Sequence, residues 1–209
     1  MADHIFAAGE TADAFRYASH WWRSMVGAIE PEQWERPGLG EWTVRELVAH
    51  TDRAYKTVVE YLESESKDPT EIYTAAAYFR TVLAEETPHV HIAARAKRES
   101  VERSDWVLAT DELAQQAEDL IANTPGDATV YLMVGEMQLD QYLATRVVEL
   151  VIHGLDLSTA IGLPVTPPPS AMGVAQQVLT DLAGADDLTA VLRLLTGRPL
   201  GDVAPHVLM

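Results

Sequence analysis

Apolar residues near the start of the chain fall at Phe15, Ala18, Trp22, Met25 and Ile29, alternately three and four apart, which is the stripe of an amphipathic helix over 10–29. The stretch 30–42 sets Pro31, Pro37, Gly38 and Gly40 among charged residues and breaks that period, so it reads as a shaped loop. A second helix starts directly after it. Thr43 with Glu46 three positions on fits a capping box, in which hydroxyl and carboxylate each satisfy a backbone N–H left free at a helix start. Val44, Leu47, Val48, Thr51, Tyr55, Val58 and Leu62 then share one face at roughly 100° per residue, carrying the helix to about residue 65. His50 lies on the shoulder of that stripe, which places it at the edge of a cleft and not in mid-core.

A third helix is expected from Ile72, Ala75, Ala76, Phe79, Val82 and Leu83, with Pro88 ending or kinking it. The region 89–109 has no single period. A helical pattern covers 111–122, a Thr-Pro-Gly-Asp run at 124–127 reads as a turn, and a long helix spans 139–161 with Leu139, Leu143, Val147, Leu150, Leu157 and Ile161 inward. A Pro-rich break at 163–169 separates this body from two short helical patterns, 170–182 and 187–195, that end near Gly197. The reading is an all-α chain, with any short strand confined to the aperiodic stretches. It has a helical body over 10–163 and a short helical C-terminal segment over 164–209.

Composition narrows the function classes. Fifteen Lys and Arg against 32 Asp and Glu give a net charge of -17, which repels phosphate backbones and anionic lipid surfaces, so neither nucleic acid nor membrane is an expected partner. With no cysteine the chain has no disulfide and no thiol nucleophile, and any metal must be held by His, Glu, Asp or water. No basic start followed by an apolar run opens the sequence, and no long uncharged apolar stretch interrupts it, so a cytoplasmic location is expected.

Glu149 and His153 stand one turn apart on the flank of the long helix, so a carboxylate oxygen and an imidazole nitrogen are rooted about 5–6 Å apart and can address one ion. Spacing alone is weak evidence, since most such pairs are solvated, and a third ligand from another helix is required. Of the other histidines, His4 and His206 lie near the ends, His20 sits beside Trp21 and Trp22 in the first helix, and His89 and His91 fall in the aperiodic region. Arg80 is either a solvated surface residue or an anchor for a substrate carboxylate through two parallel hydrogen bonds. Arg146 suits the same role or an interhelical ion pair. Trp34 and Trp42 bracket the loop before the second helix, as cleft walls or packing residues, and Asp156, one turn from His153, is either a solvated residue or one that orients that ligand.

Two strings carry a family resemblance. GEWTVRELVAHTDRA, residues 40–54, resembles the helix-two motif of the mycothiol-dependent maleylpyruvate isomerase N-terminal domain, whose His is a metal ligand. TRVVELVIHGLDLSTAIG, residues 145–162, resembles that family's late-helix motif, whose Glu and His complete the set. The resemblance covers roughly residues 10–163. It implies a DinB-like four-helix bundle with one divalent metal on His50, Glu149 and His153. Related DinB-type proteins often use three His, so Glu149 points to the isomerase-like branch. Three protein ligands leave a position open for water or substrate, as in catalytic sites. Zinc is the first choice, and nickel, iron, cobalt and manganese also suit two nitrogens and a carboxylate.

The resemblance further implies mycothiol as co-substrate, bound through its thiol and added to a small electrophile, and a homodimer, as DinB-like bundles often form. The isomerase proper is similar to a bundle joined to a larger α/β domain. Only about 40 residues follow the Pro-rich break here, so the ligand set carries over while maleylpyruvate as the substrate is left open. The leading expectation is a metal-dependent mycothiol transferase or isomerase. The alternatives are a metal-containing small-ligand-binding or stress-response protein without turnover, and an interaction module with a vestigial site.

Overall fold

The structure, a computed structural model, describes residues 3–65, 70–84, 103 and 105–199. His89, His91, His206 and the expected stop at Pro88 lie outside them. Helices α1 (Glu10–Val26), α2 (Val44–Thr51), α3 (Arg53–Leu62), α5 (Trp106–Ala122) and α6 (Leu139–Ile161) build the bundle, with α4 (Ala75–Leu83) between α3 and α5 in sequence and α7 (Pro169–Leu182) and α8 (Ala185–Leu195) after it. The predominance of helix and this packing make it the DinB-like bundle that the resemblance implied.

The capping box at α2 is formed: Glu46 N–H donates to Thr43 Oγ1 at 3.2 Å, and Thr43 N–H donates to Glu46 Oε2 at 2.8 Å. The helix expected to run to about residue 65 is broken at Asp52 into α2 and α3. The cause is tertiary. Asp52 is fully buried and accepts from Trp22 Nε1 of α1 (3.1 Å), Thr110 Oγ1 of α5 (2.7 Å) and the Arg103 guanidinium. Three elements meet on this carboxylate at the junction two residues beyond His50.

Helix α6 is the axis of the fold, packing against α1, α2, α3, α4 and α7. Its residues Leu139, Tyr142, Leu143, Leu150 and Leu157 are among the most buried side chains, with Phe15, Trp22 and Met25 of α1, Leu47 of α2 and Tyr55 of α3. Helix α7 contributes Ala171, Val174, Ala175 and Val178 to this same core and packs on α6, α1 and α4, so the first helix after the Pro-rich break is built into the bundle. Helix α8 buries only Ala190.

Two short antiparallel hairpins flank the bundle. Strands β1 (Pro37–Leu39) and β2 (Trp42–Thr43) pair across the loop before α2, with an irregular register between Pro37 and Leu39. Strands β3 (Thr129–Leu132) and β4 (Gly135–Gln138) pair in a regular register from Thr129 with Gln138 to Leu132 with Gly135, leading into α6. The hairpins fix where α2 and α6 begin, and so the height at which their side chains meet.

Gly154 lies where α1 crosses α6. A Cβ there would fall 2.1 Å from Trp21 Cζ3 and 3.1 Å from Met25 Cε. Alanine ordinarily favours a helix interior over glycine by about 1 kcal/mol, whereas forcing atoms into a packed contact costs about 1–3 kcal/mol. Gly154→Ala is therefore expected to destabilise the protein, which urea unfolding of the two forms will measure.

Candidate metal centre

Helix α2 offers His50 and helix α6 offers Glu149 and His153, from the facing flanks foreseen in their stripes. Glu149 Oε2 stands between the imidazoles, 3.8 Å from His50 Nε2 and 3.4 Å from His153 Nε2. The two rings meet edge to face with centroids 4.9 Å apart. One ligand atom from each residue lies within 4.8 Å of the other two, and this is the only such metal-capable group among the described residues. All three side chains are largely shielded, at 15 %, 25 % and 16 % exposure for His50, Glu149 and His153.

These distances suit one small dication. Donors about 2.1 Å from a common tetrahedral ion lie about 3.4 Å apart, close to the 3.8 and 3.4 Å from Glu149 to the two imidazoles. The shielded cluster of two imidazoles and one carboxylate is a donor set for zinc or a neighbouring divalent ion and has no soft sulfur.

Electrostatics divides the two imidazoles. Burial pushes the His50 ring below the ordinary histidine value, outweighing the pull of Glu149, and so favours its neutral form. Its Nδ1 is buried and has no hydrogen-bond partner among the described residues. Burial also opposes charge on His153, but hydrogen bonds to Asp156 and Glu149 prevail and raise it to about 9. Glu149 is likewise penalised by burial, yet the two imidazoles and the Arg146 charge hold it well below the usual carboxylate range. Without metal, the pair Glu149 and His153 is a charged one at neutral pH.

Asp156 Oδ2 lies 3.1 Å from His153 Nδ1, the outer contact that fixes which imidazole nitrogen faces Glu149. Trp42, at the end of the β1–β2 hairpin, packs against the His50 ring with centroids 4.7 Å apart, walling the site. Trp34 instead packs on Trp106, 5.7 Å away. Arg80 is not brought to this cluster. Its guanidinium binds both Asp3 oxygens (2.7 and 3.0 Å) and the Asp181 carbonyl (2.6 Å), tying α4 to the N-terminal segment and α7. His20 is exposed on α1, and His4 packs its ring on Phe6.

Trp42 walls the site as one of its two sequence readings expects, whereas Asp52 and the rings around Arg146 are residues that the sequence does not single out. Only the last left a local signal: Tyr142, Arg146, Glu149 and His153 follow one another at helical spacing and share one face of α6.

A cavity of about 370 Å³ lies elsewhere, at the β3–β4 hairpin, lined among others by Ile5, Glu71, Tyr73, Asp127 and Glu136. It contains none of the three cluster residues. No helix among the described residues is long and apolar enough to cross a membrane.

Comparison with known proteins finds no match among curated proteins or solved structures. A family model does match: that of the mycothiol maleylpyruvate isomerase N-terminal domain, over residues 15–158, a span that runs from within α1 to within α6 and holds all three residues of the His50, Glu149 and His153 cluster. With most of its length inside that match, the chain belongs to the mycothiol maleylpyruvate isomerase N-terminal domain family.

Proposed function

We propose that this protein holds one divalent metal ion, zinc in the first place, on His50, Glu149 and His153, and uses mycothiol to transfer a thiol to, or isomerise, a small electrophile in the cytoplasm. The observation that carries the reading is the convergence of two helices on three donor atoms within 4.8 Å, inside the span that the family model matches. The lack of cysteine accords with a thiol supplied from outside. A metal bound here supplies Lewis acidity, lowering the pKa of a thiol so that thiolate is present at neutral pH.

The chain's own residues prepare that chemistry. His50 is kept neutral by burial and so has a free lone pair. Asp156 holds His153 in one orientation, and Glu149 brings the single negative charge that offsets part of a dication. Trp42 shields one side of the His50 ring, and in such a shielded place charge interactions are stronger than in water.

The test is an assay with mycothiol and an α,β-unsaturated acid. Transfer is read as loss of free thiol, and isomerisation as cis-to-trans conversion without thiol loss. Turnover above background in the wild type that disappears in His50→Ala is the expected result. Equal rates in wild type and variant would contradict the reading.

A further inference from the structure

Arg146 is the most buried arginine among the described residues, at 7 % exposure, and it differs from the others that are shielded. Arg23 pairs with Asp111, Arg45 with Glu35, and Arg103 with Asp52. Arg146 has no carboxylate within ion-pair distance among the described residues. Its Nε donates to the neighbouring Thr145 Oγ1 at 3.0 Å, and its guanidinium carbon lies 4.9 Å from the Tyr142 ring centre and 5.6 Å from that of Tyr78. A guanidinium carries five N–H donors, and Nε accounts for one.

Burying such a charge without a carboxylate is costly, and aromatic faces recover only part of that cost. The Tyr142 hydroxyl is itself committed, donating to Thr57 Oγ1 at 2.7 Å, so the rings frame the cation and its terminal N–H groups have no acceptor among the described residues. Glu149, three residues along the same face, has the nearest suitable charge, but its Oε2 is engaged by His50 and His153. Along α6 the guanidinium is rooted about 4.5 Å from Glu149 and about 10.5 Å from His153, a span suited to a small molecule.

We propose that Arg146 is the anion-binding residue of the site, taking the carboxylate of a small organic acid whose other end lies toward the His50, Glu149 and His153 cluster. The planar fork matches a carboxylate with two parallel hydrogen bonds, and the rings of Tyr78 and Tyr142 give it low-dielectric walls. This rests on the functional reading above for the direction of the substrate. It also gives a protein of net charge -17 a local means of accepting an acid. Arg80, the anchor considered from sequence, is already held by Asp3.

The experiment titrates succinate, with succinamide as neutral control and inorganic phosphate as competing anion, into zinc-loaded and chelator-treated wild type, Arg146→Gln and Arg146→Lys, followed by NMR and accompanied by zinc content and thermal melts. Succinate is expected to bind the wild type and succinamide not to, with affinity about tenfold or more weaker in Arg146→Gln. Succinate affinity that is the same in folded Arg146→Gln, or binding of phosphate but not succinate, would overturn the proposal. Should the glutamine variant not fold, transfer of nuclear Overhauser effects between succinate methylenes and the Tyr78 and Tyr142 rings in wild type decides, and their absence overturns it. Arg146-dependent succinate binding in a protein that takes up no zinc would uphold this site and remove the metal reading. Zinc uptake with Arg146-independent binding would do the reverse.

Discussion

Metal binding will release about one proton per ion near neutral pH, and the affinity will fall about tenfold for each pH unit below 9. The proton is that of His153, whose folded-state value of about 9 keeps it protonated in the metal-free protein until Nε2 is needed as a ligand. His50 adds nothing at neutral pH, because burial has already favoured its neutral form, and Glu149 is ionised throughout. The sign for stability is opposite. In the metal-free protein the raised His153 value stabilises the fold fully below the ordinary 6.5, and that contribution is lost as pH rises through about 9. Calorimetric titration of zinc in buffers of different ionisation enthalpy measures the proton count. A count of zero would show that His153 is neutral in the free protein.

Asp52→Ala will lower stability by about 3–5 kcal/mol, the usual cost of removing one partner of a buried charged pair. Trp22 Nε1, on a fully buried side chain, loses its acceptor at 3.1 Å, and Thr110 and Arg103 lose theirs. Asp52→Asn keeps an acceptor of the same shape and is expected to fall between wild type and alanine. Because Asp52 is the junction between α2 and α3, zinc affinity should decline in the alanine variant even where it remains folded. Urea unfolding with and without zinc separates the two effects, and a loss under about 1 kcal/mol would mean that Trp22 and Arg103 find other partners.

The sequence was most legible where periodicity and local caps agree. Helix α6 runs over the 139–161 read from its stripe, and the Thr43 and Glu46 capping box sets the start of α2. Helix α5 begins at Trp106, earlier than its apolar period shows, because Asp105 caps it by accepting from Leu108 N–H at 3.0 Å. The expected start of α4 at Ile72 gives way to Ala75, since Ile72 N–H donates to the Glu136 carbonyl at 2.8 Å and Thr74 caps the helix. Neither hairpin was read. Strands of two to four residues are too short to show alternation, and β3 with β4 gains definition from tertiary packing on α3 and α6.

The site divides in the same way. Glu149 and His153 were paired by helical spacing, whereas nothing local links His50 to them, and only the motif resemblance placed it there. The break at Asp52 and the packing of Tyr78 on Arg146 are decided by residues 30 to 68 positions away, beyond the reach of any periodicity.

The central claim is that His50, Glu149 and His153 form one metal site, and the most direct test is metal content by mass spectrometry of untagged protein, wild type beside a His50→Ala, His153→Ala double variant whose fold is checked by circular dichroism. About one equivalent in the wild type and almost none in the folded variant is the predicted result. Equal content in both, or none in either, would contradict it.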